Sequence, residues 1–196
     1  MSGVIRLTLL NEILTYNQSF IEEKKYEEYA TTKFPDKKFV ILTCMDTRLV
    51  ELLHKAMNIK NGDVKVVKNA GAVVAHPFGS IMRSLLIAIY ELKADEVIVV
   101  GHHDCGMSAI DSNRVLEKMK EKGISQQTID TVMHSGVDLH KWLEGFDRVE
   151  ESVAHSVSMI KQHPLITGDI PVHGLVIDPV TGKLELVIDG YKDVQK

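Results

Sequence analysis

The chain has no excess of positive charge: 23 Lys and Arg against 27 Asp and Glu leave a formal net charge of −4. That removes the electrostatic case for a nucleic-acid or anionic-membrane partner. Long apolar runs are also missing, and every such stretch falls far short of the roughly 20 residues a membrane span requires. The start, Met1 to Arg6, puts an arginine inside its one apolar stretch and has no small-residue cleavage site downstream, so no secretory leader is expected. Repeats and low-complexity linkers are absent. Cysteine is scarce, with two residues, Cys44 and Cys105. Without an export signal a reducing cytoplasm is expected, and there the pair serves a metal or catalysis rather than a disulfide.

What remains is ordinary globular stock, 44% apolar and 26% charged over 196 residues, enough for one domain with a full sheet-and-helix core. Residues about 7–30 carry Leu9, Leu10, Ile13, Leu14 and Phe20 at helical spacing, then a charged stretch. They read as one or two amphipathic helices, so that 1–34 forms an N-terminal arm. Pro35-Asp36 breaks the chain ahead of a strand at 38–43. A helix is predicted from Arg48 to Met57, a strand at 64–67, and a deeply buried helix at 81–92 that is apolar on nearly every side. A strand at 97–100, a helix from Met107 to Lys122 closed by Gly123, and a helix at 150–162 stopped by Pro164 follow. Between the last two, 124–148 gives no clear pattern and holds the one tryptophan, Trp142. Strands at 171–177 and 184–188 are joined by a tight turn and pair antiparallel. The whole is an α/β fold: a mostly parallel sheet of about five strands, the last antiparallel, with helices on both faces.

Two of these strands end in chemistry. Cys44 closes the run Phe39-Val40-Ile41-Leu42-Thr43, and His102 and Cys105 follow Val97-Ile98-Val99-Val100. If the first strand lies centrally, with the second on one side and the third on the other, strand order reverses between the first and third. The crevice beyond their carboxyl ends is where open α/β sheets bind ligands. Two thiolates and an imidazole suit zinc, and three protein donors leave one tetrahedral position open, as catalytic rather than structural sites do. The helix predicted from Met107 would put Cys105 at a helix N-terminus, where the dipole favours its thiolate. Asp46 and Arg48 follow Cys44. The carboxylate can orient a metal-activated water or occupy the open position itself, and the two-pronged guanidinium can hold it away, so the pair reads as a gate. A phosphate-loop cysteine enzyme fits poorly, because that loop needs five residues between Cys and Arg and only three lie here, with no glycine among them.

The stretches Cys44-Met45-Asp46-Thr47-Arg48 and His102-His103-Asp104-Cys105 resemble the two zinc motifs of the β-class carbonic anhydrases. The likeness continues through Val67-Lys68-Asn69-Ala70-Gly71, Gly106-Met107 and Val172-His173-Gly174-Leu175, and covers roughly 38–190. It implies reversible hydration of carbon dioxide to bicarbonate and a proton, with one zinc per chain on Cys44, His102 and Cys105. Asp46 and Arg48 would be the dyad, with Asp46 a metal ligand only in a closed form. A small apolar substrate needs apolar walls, for which Ala70, Gly71 and Val73 are candidates. The resemblance also implies a homodimer or an assembly of dimers, which the arm and the 81–92 helix would serve. Some members close the zinc through a second bicarbonate site that uses a tryptophan three residues before the first cysteine. Ile41 stands there, so the open form is expected. A carbonyl sulfide or carbon disulfide hydrolase on the same scaffold, or a non-catalytic zinc module, remains as an alternative. His103 is a candidate proton shuttle and Lys68 an anion-binding candidate; Asp104 reads as a helix cap, and Met45 and Met107 as core.

Overall fold

The computed structural model describes residues 8–194; residue 7 and the leader reading at Met1 to Arg6 lie outside them. The chain divides into two units, the first ending at Thr32 and the second beginning at Lys33. In the first, Thr8 caps α1 (Leu9–Glu22), its hydroxyl accepting the Asn11 N–H at 3.3 Å. None of the helix's residues is buried. Lys24 takes a left-handed conformation and turns the chain into a 3₁₀ segment, Lys25–Tyr29.

The second unit is built on five strands in the order β2-β1-β3-β4-β5. β1 (Phe39–Cys44) is flanked in parallel by β2 (Val64–Asn69) and β3 (Glu96–His102), β3 pairs in parallel with β4 (Val172–Ile177), and β5 (Leu184–Ile188) returns antiparallel. The central strands read as unbroken apolar runs because both of their faces are covered. Val40, Leu42, Val97 and Val99 point into one core layer with Met82, Leu85, Val153 and Ile160, whereas Ile41 and Val100 point into a second with Leu49 and Leu53. Strand order reverses between β1 and β3, the condition on which the crevice reading depended, which places the ends of both strands at the switch point.

The helices differ from expectation in instructive ways. The 48–57 helix is a 3₁₀ turn, Thr47–Leu49, followed by α2 (Leu52–Ala56). In α3 (Ser80–Tyr90), Met82, Leu85, Ala88 and Ile89 are buried, but Ile87 is 47% and Tyr90 59% exposed, so only one face is covered. The continuous Met107–Lys122 helix is not formed. A 3₁₀ turn, Gly106–Ala109, ends at an extended Ile110, and Asp111 restarts the chain as the cap of α4 (Ser112–Glu121), accepting the Asn113 N–H at 2.9 Å. The unread stretch 124–148 folds as α5 (Gln126–His134) and α6 (Leu139–Leu143), capped by Ser125 and Asp138.

α7 (Val149–Lys161) lies directly on the sheet. A Cβ on Gly101 would come within 2.7 Å of Val149 Cγ2 and Val153 Cγ2, so the absence of a side chain sets that approach. Gly101→Ala is therefore expected to cost about 1–3 kcal/mol by overpacking, read as a shift of the urea midpoint. An unchanged midpoint would mean that the helix backs away freely.

The turn between β4 and β5 depends on one carboxylate. Asp178 accepts the N–H groups of Thr181 at 2.7 Å and Val180 at 2.9 Å, and the Thr181 hydroxyl at 2.9 Å, and these bonds hold its carboxyl below the ordinary 3.8. A depressed folded value means that the stabilisation is present above the unfolded pKa and is lost as pH falls through the folded one. Asp178→Ala should thus lower the melting temperature near neutrality, with the gap to the parent narrowing below pH 3.8. A gap that widens in acid would contradict this.

Candidate metal centre

Cys44 ends β1, His102 ends β3 and Cys105 follows three residues later; all three are buried, and their ligand atoms lie within 4.8 Å of one another. The two sulfurs are 3.9 Å apart and both cysteines are free. His102 Nδ1 is 2.8 Å from the His103 carbonyl, which can only accept, so Nδ1 carries the proton and Nε2 presents a lone pair. That Nε2 is buried with no hydrogen-bond partner. Leaving such an atom unsatisfied costs about 1–3 kcal/mol, a cost a cation seated among the three donors removes. The chemistry of the donor set fits a thiophilic metal.

Burial disfavours both thiolates, but unequally. At Cys44 it is outweighed by the adjacent His102 ring in its protonated form and by the Gly71 N–H, which donates to Sγ at 3.3 Å, and the pKa falls to about 7. At Cys105 burial dominates, and the Met107 N–H does not offset it, so the thiol is pushed up to about 11. The expected help from a following helix dipole is missing because the segment after Cys105 is a four-residue 3₁₀ turn.

Asp46 caps the turn after β1. Its Oδ1 accepts the Arg48 backbone N–H at 2.8 Å and Nε–H at 3.0 Å, and its Oδ2 accepts an Nη2–H at 2.8 Å. These bonds hold the carboxyl at about 2. Oδ2 also lies 3.8 Å from His102 Nε2, beside the donor cluster. Asp104, read from sequence as a cap, instead receives Arg48: Nη1 donates to Oδ2 and Nη2 to the Asp104 carbonyl, each at 2.8 Å.

The structure sorts the candidate wall residues. Ala70 and Val73 line a cavity of about 530 Å³ together with Asn69, Met107, Trp142 and Phe146. Gly71 is not among its lining residues. It sits at φ +79°, where a Cβ would come 3.0 Å from Met107 and Phe146, and it serves through its N–H on Cys44. His102 and Cys105 open onto a separate cavity of about 240 Å³ that Phe146 also lines. The His103 ring reaches Glu185 on β5 at 3.6 Å, and Lys68 is exposed on β2. Met45 is 66% exposed rather than core, whereas Met107 packs half-buried against the second core layer, and Ile41 is fully buried. Trp142 and Phe146 were not foreseen as cavity residues; the aromatic pair within four positions of Gly145 was the available signal.

The structure thus places a buried Cys-His-Cys cluster, a group able to hold a metal ion, at the switch point of an open α/β sheet, where such folds bind ligands. A family profile described as Carbonic anhydrase matches residues 39–184. YtiB of Bacillus subtilis (strain 168), provisionally named a carbonic anhydrase, is 61% identical over 187 residues, covering 95% of this chain and 100% of the relative. The crystal structure of β-carbonic anhydrase isoform I from Trichomonas vaginalis matches with a TM-score of 0.87 at 35% identity, over 94% of this chain and 100% of that one. A carbon disulfide hydrolase of Saccharolobus solfataricus is 27% identical over 179 residues, 83% of this chain and 85% of the relative. The chain belongs to the β-carbonic anhydrase family.

Proposed function

We propose that the protein is a zinc-dependent carbonic anhydrase that interconverts carbon dioxide and water with bicarbonate and a proton. The observation that carries this reading is the buried Cys44-His102-Cys105 cluster with Asp46 Oδ2 3.8 Å from the orphaned His102 Nε2. Zinc held by these three donors would supply a water acidified to a pKa of about 7. The chain's own groups do the rest. Asp46 offers an acceptor oxygen beside the donor cluster, where it would take a hydrogen bond from a water bound there and so orient it. Arg48 keeps the carboxylate charged and turned outward. The His103 carbonyl locks the His102 tautomer. Ala70 and Val73 offer carbon dioxide apolar side chains in the neighbouring cavity, which shares Phe146 with the one onto which His102 and Cys105 open.

The test is a stopped-flow assay with a pH indicator on zinc-loaded protein, run in parallel with carbon disulfide and carbonyl sulfide. Acceleration of carbon dioxide hydration is expected. Turnover of the sulfur gases alone would favour the hydrolase reading suggested by the Saccharolobus solfataricus relative. Zinc uptake with no turnover of any gas would leave a binding module.

A homodimer or an assembly of dimers is part of the same reading, supported by the exposed Leu9, Leu10, Ile13 and Leu14 on α1 and by Ile87 and Tyr90 on α3. Sedimentation of the full chain should give at least twice the 21.9 kDa of one chain; a fully active monomer would contradict it. The two unbridged cysteines suit a reducing compartment such as the cytoplasm. Among the described residues no helix is long and apolar enough to cross a membrane.

A further inference from the structure

We propose that Asp104 is a positioning residue of the metal centre, one that holds Arg48 on Asp46 and so keeps the Asp46 carboxylate off the metal. The inference rests on the metal reading above and concerns how that site is kept open.

Arg48 commits four of its five N–H groups: Nε and Nη2 to the Asp46 carboxylate, Nη1 to Asp104 Oδ2, and Nη2 also to the Asp104 carbonyl. The guanidinium therefore bridges the loop that follows Cys44 at the end of β1 and the loop between His102, at the end of β3, and Cys105. Asp104 is the residue immediately before Cys105 and sits at φ +51°, a left-handed conformation that an aspartate tolerates better than most residues. That conformation aims both its carboxylate and its carbonyl at one arginine.

The competing state is close by. Asp46 Oδ2 is 3.8 Å from His102 Nε2, so a small rotation would make it a fourth donor to an ion in the cluster. Arg48 opposes that rotation only while its own long side chain is ordered. The side chain is 37% exposed, so water competes for it, and ordering it costs rotamer entropy. Asp104 shares that cost by fixing the guanidinium from its other edge. Energy alone would not single out this ion pair, since the Asp104 side chain is 85% exposed and exposed pairs contribute little. Its effect comes from where it holds the fork.

Cobalt(II) tests this without any assay of turnover, because its visible bands report the donor set and an added anion must take the fourth position. In the cobalt-loaded parent, thiocyanate should shift the bands with a simple saturation curve. Asp104→Gly keeps the turn, since glycine accepts positive φ, and keeps the carbonyl on Nη2, but removes the carboxylate that holds Nη1. Its apparent thiocyanate Kd should rise about tenfold, the low end for an outer-shell partner of a metal site. Asp104→Asn retains one acceptor for Nη1 and should fall between the two. If glycine disturbs folding, the asparagine variant carries the test alone. In the Asp46→Ala, Asp104→Gly double variant the blocking carboxylate is gone, and the parent affinity should return. Unchanged affinity in both single variants overturns the proposal, as does weak binding that persists in the double variant. A parent chain that takes up no cobalt removes the metal reading and this inference with it.

Discussion

Cys44→Ser and Cys105→Ser are each expected to lose zinc and all measurable hydration activity together. A serine hydroxyl is a poor ligand at neutral pH, and two remaining donors do not hold the ion against buffer. The same variants separate the metal from the fold. Cys44 is fully framed by β1 and by the Gly71 N–H, and a serine fits that frame with little strain. The metal-free variants should therefore melt near the metal-free parent. The zinc-loaded parent should melt well above both, since a ligand at about 1,000 times its Kd adds about 4.1 kcal/mol to the folded state. Zinc analysis, activity and a melting curve with and without a chelator check this. Full zinc occupancy in both variants would remove Cys44 and Cys105 from the ligand set, and a parent whose melting ignores the chelator would separate the metal from folding.

The sheet and the donor cluster were legible in the sequence for separate physical reasons. Strands covered on both faces have to be apolar at successive positions, so Val40-Ile41-Leu42 and Val97-Ile98-Val99-Val100 could not be surface elements. A histidine at the carboxyl end of such a run is expensive to bury without a partner, and the chain's two cysteines are the soft donors that end or follow the same two runs. What stayed hidden depends on approach in space or on local competition. Arg48 and Asp104 are 56 positions apart, and their pairing needs Asp104 in a left-handed turn that no composition rule encodes. Gly71 read as a wall residue because its small size was visible, whereas the direction of its N–H was not. The 81–92 helix was rich enough in apolar residues to suggest burial all round, but Ile87 and Tyr90 project away from the face that covers the sheet. The helix after Cys105 failed because Asp111 offers its side chain to the backbone and starts a new helix there. Ser125 and Asp138 do the same in the stretch that gave no clear pattern, and their spacing before short apolar groups was the signal available.

Asp46→Ala should keep its zinc and lose turnover, by about 10- to 100-fold, the range for an outer-shell partner of a metal site. The geometry sets both halves of that expectation. Asp46 belongs to the turn that follows β1, and in the open arrangement its oxygens are occupied by Arg48, so it contributes nothing to holding the ion. What it contributes is direction, through an acceptor oxygen 3.8 Å from His102 Nε2. An effect on direction is realised in the transition state, so kcat should fall while KM stays near the parent value. Arg48→Ala should move in the same direction by a different route. Without the guanidinium the carboxylate is free to rotate onto the ion, and activity falls because the fourth position is filled rather than because an acceptor is missing. The two variants therefore part company with anions: Asp46→Ala should bind thiocyanate at least as well as the parent, whereas Arg48→Ala should bind it more weakly. Metal analysis, steady-state hydration kinetics and the thiocyanate titration together decide the matter. Parent rates in zinc-loaded Asp46→Ala would mean that the carboxylate only caps its turn, and equal anion affinity in the two variants would mean that Arg48 does not restrain it.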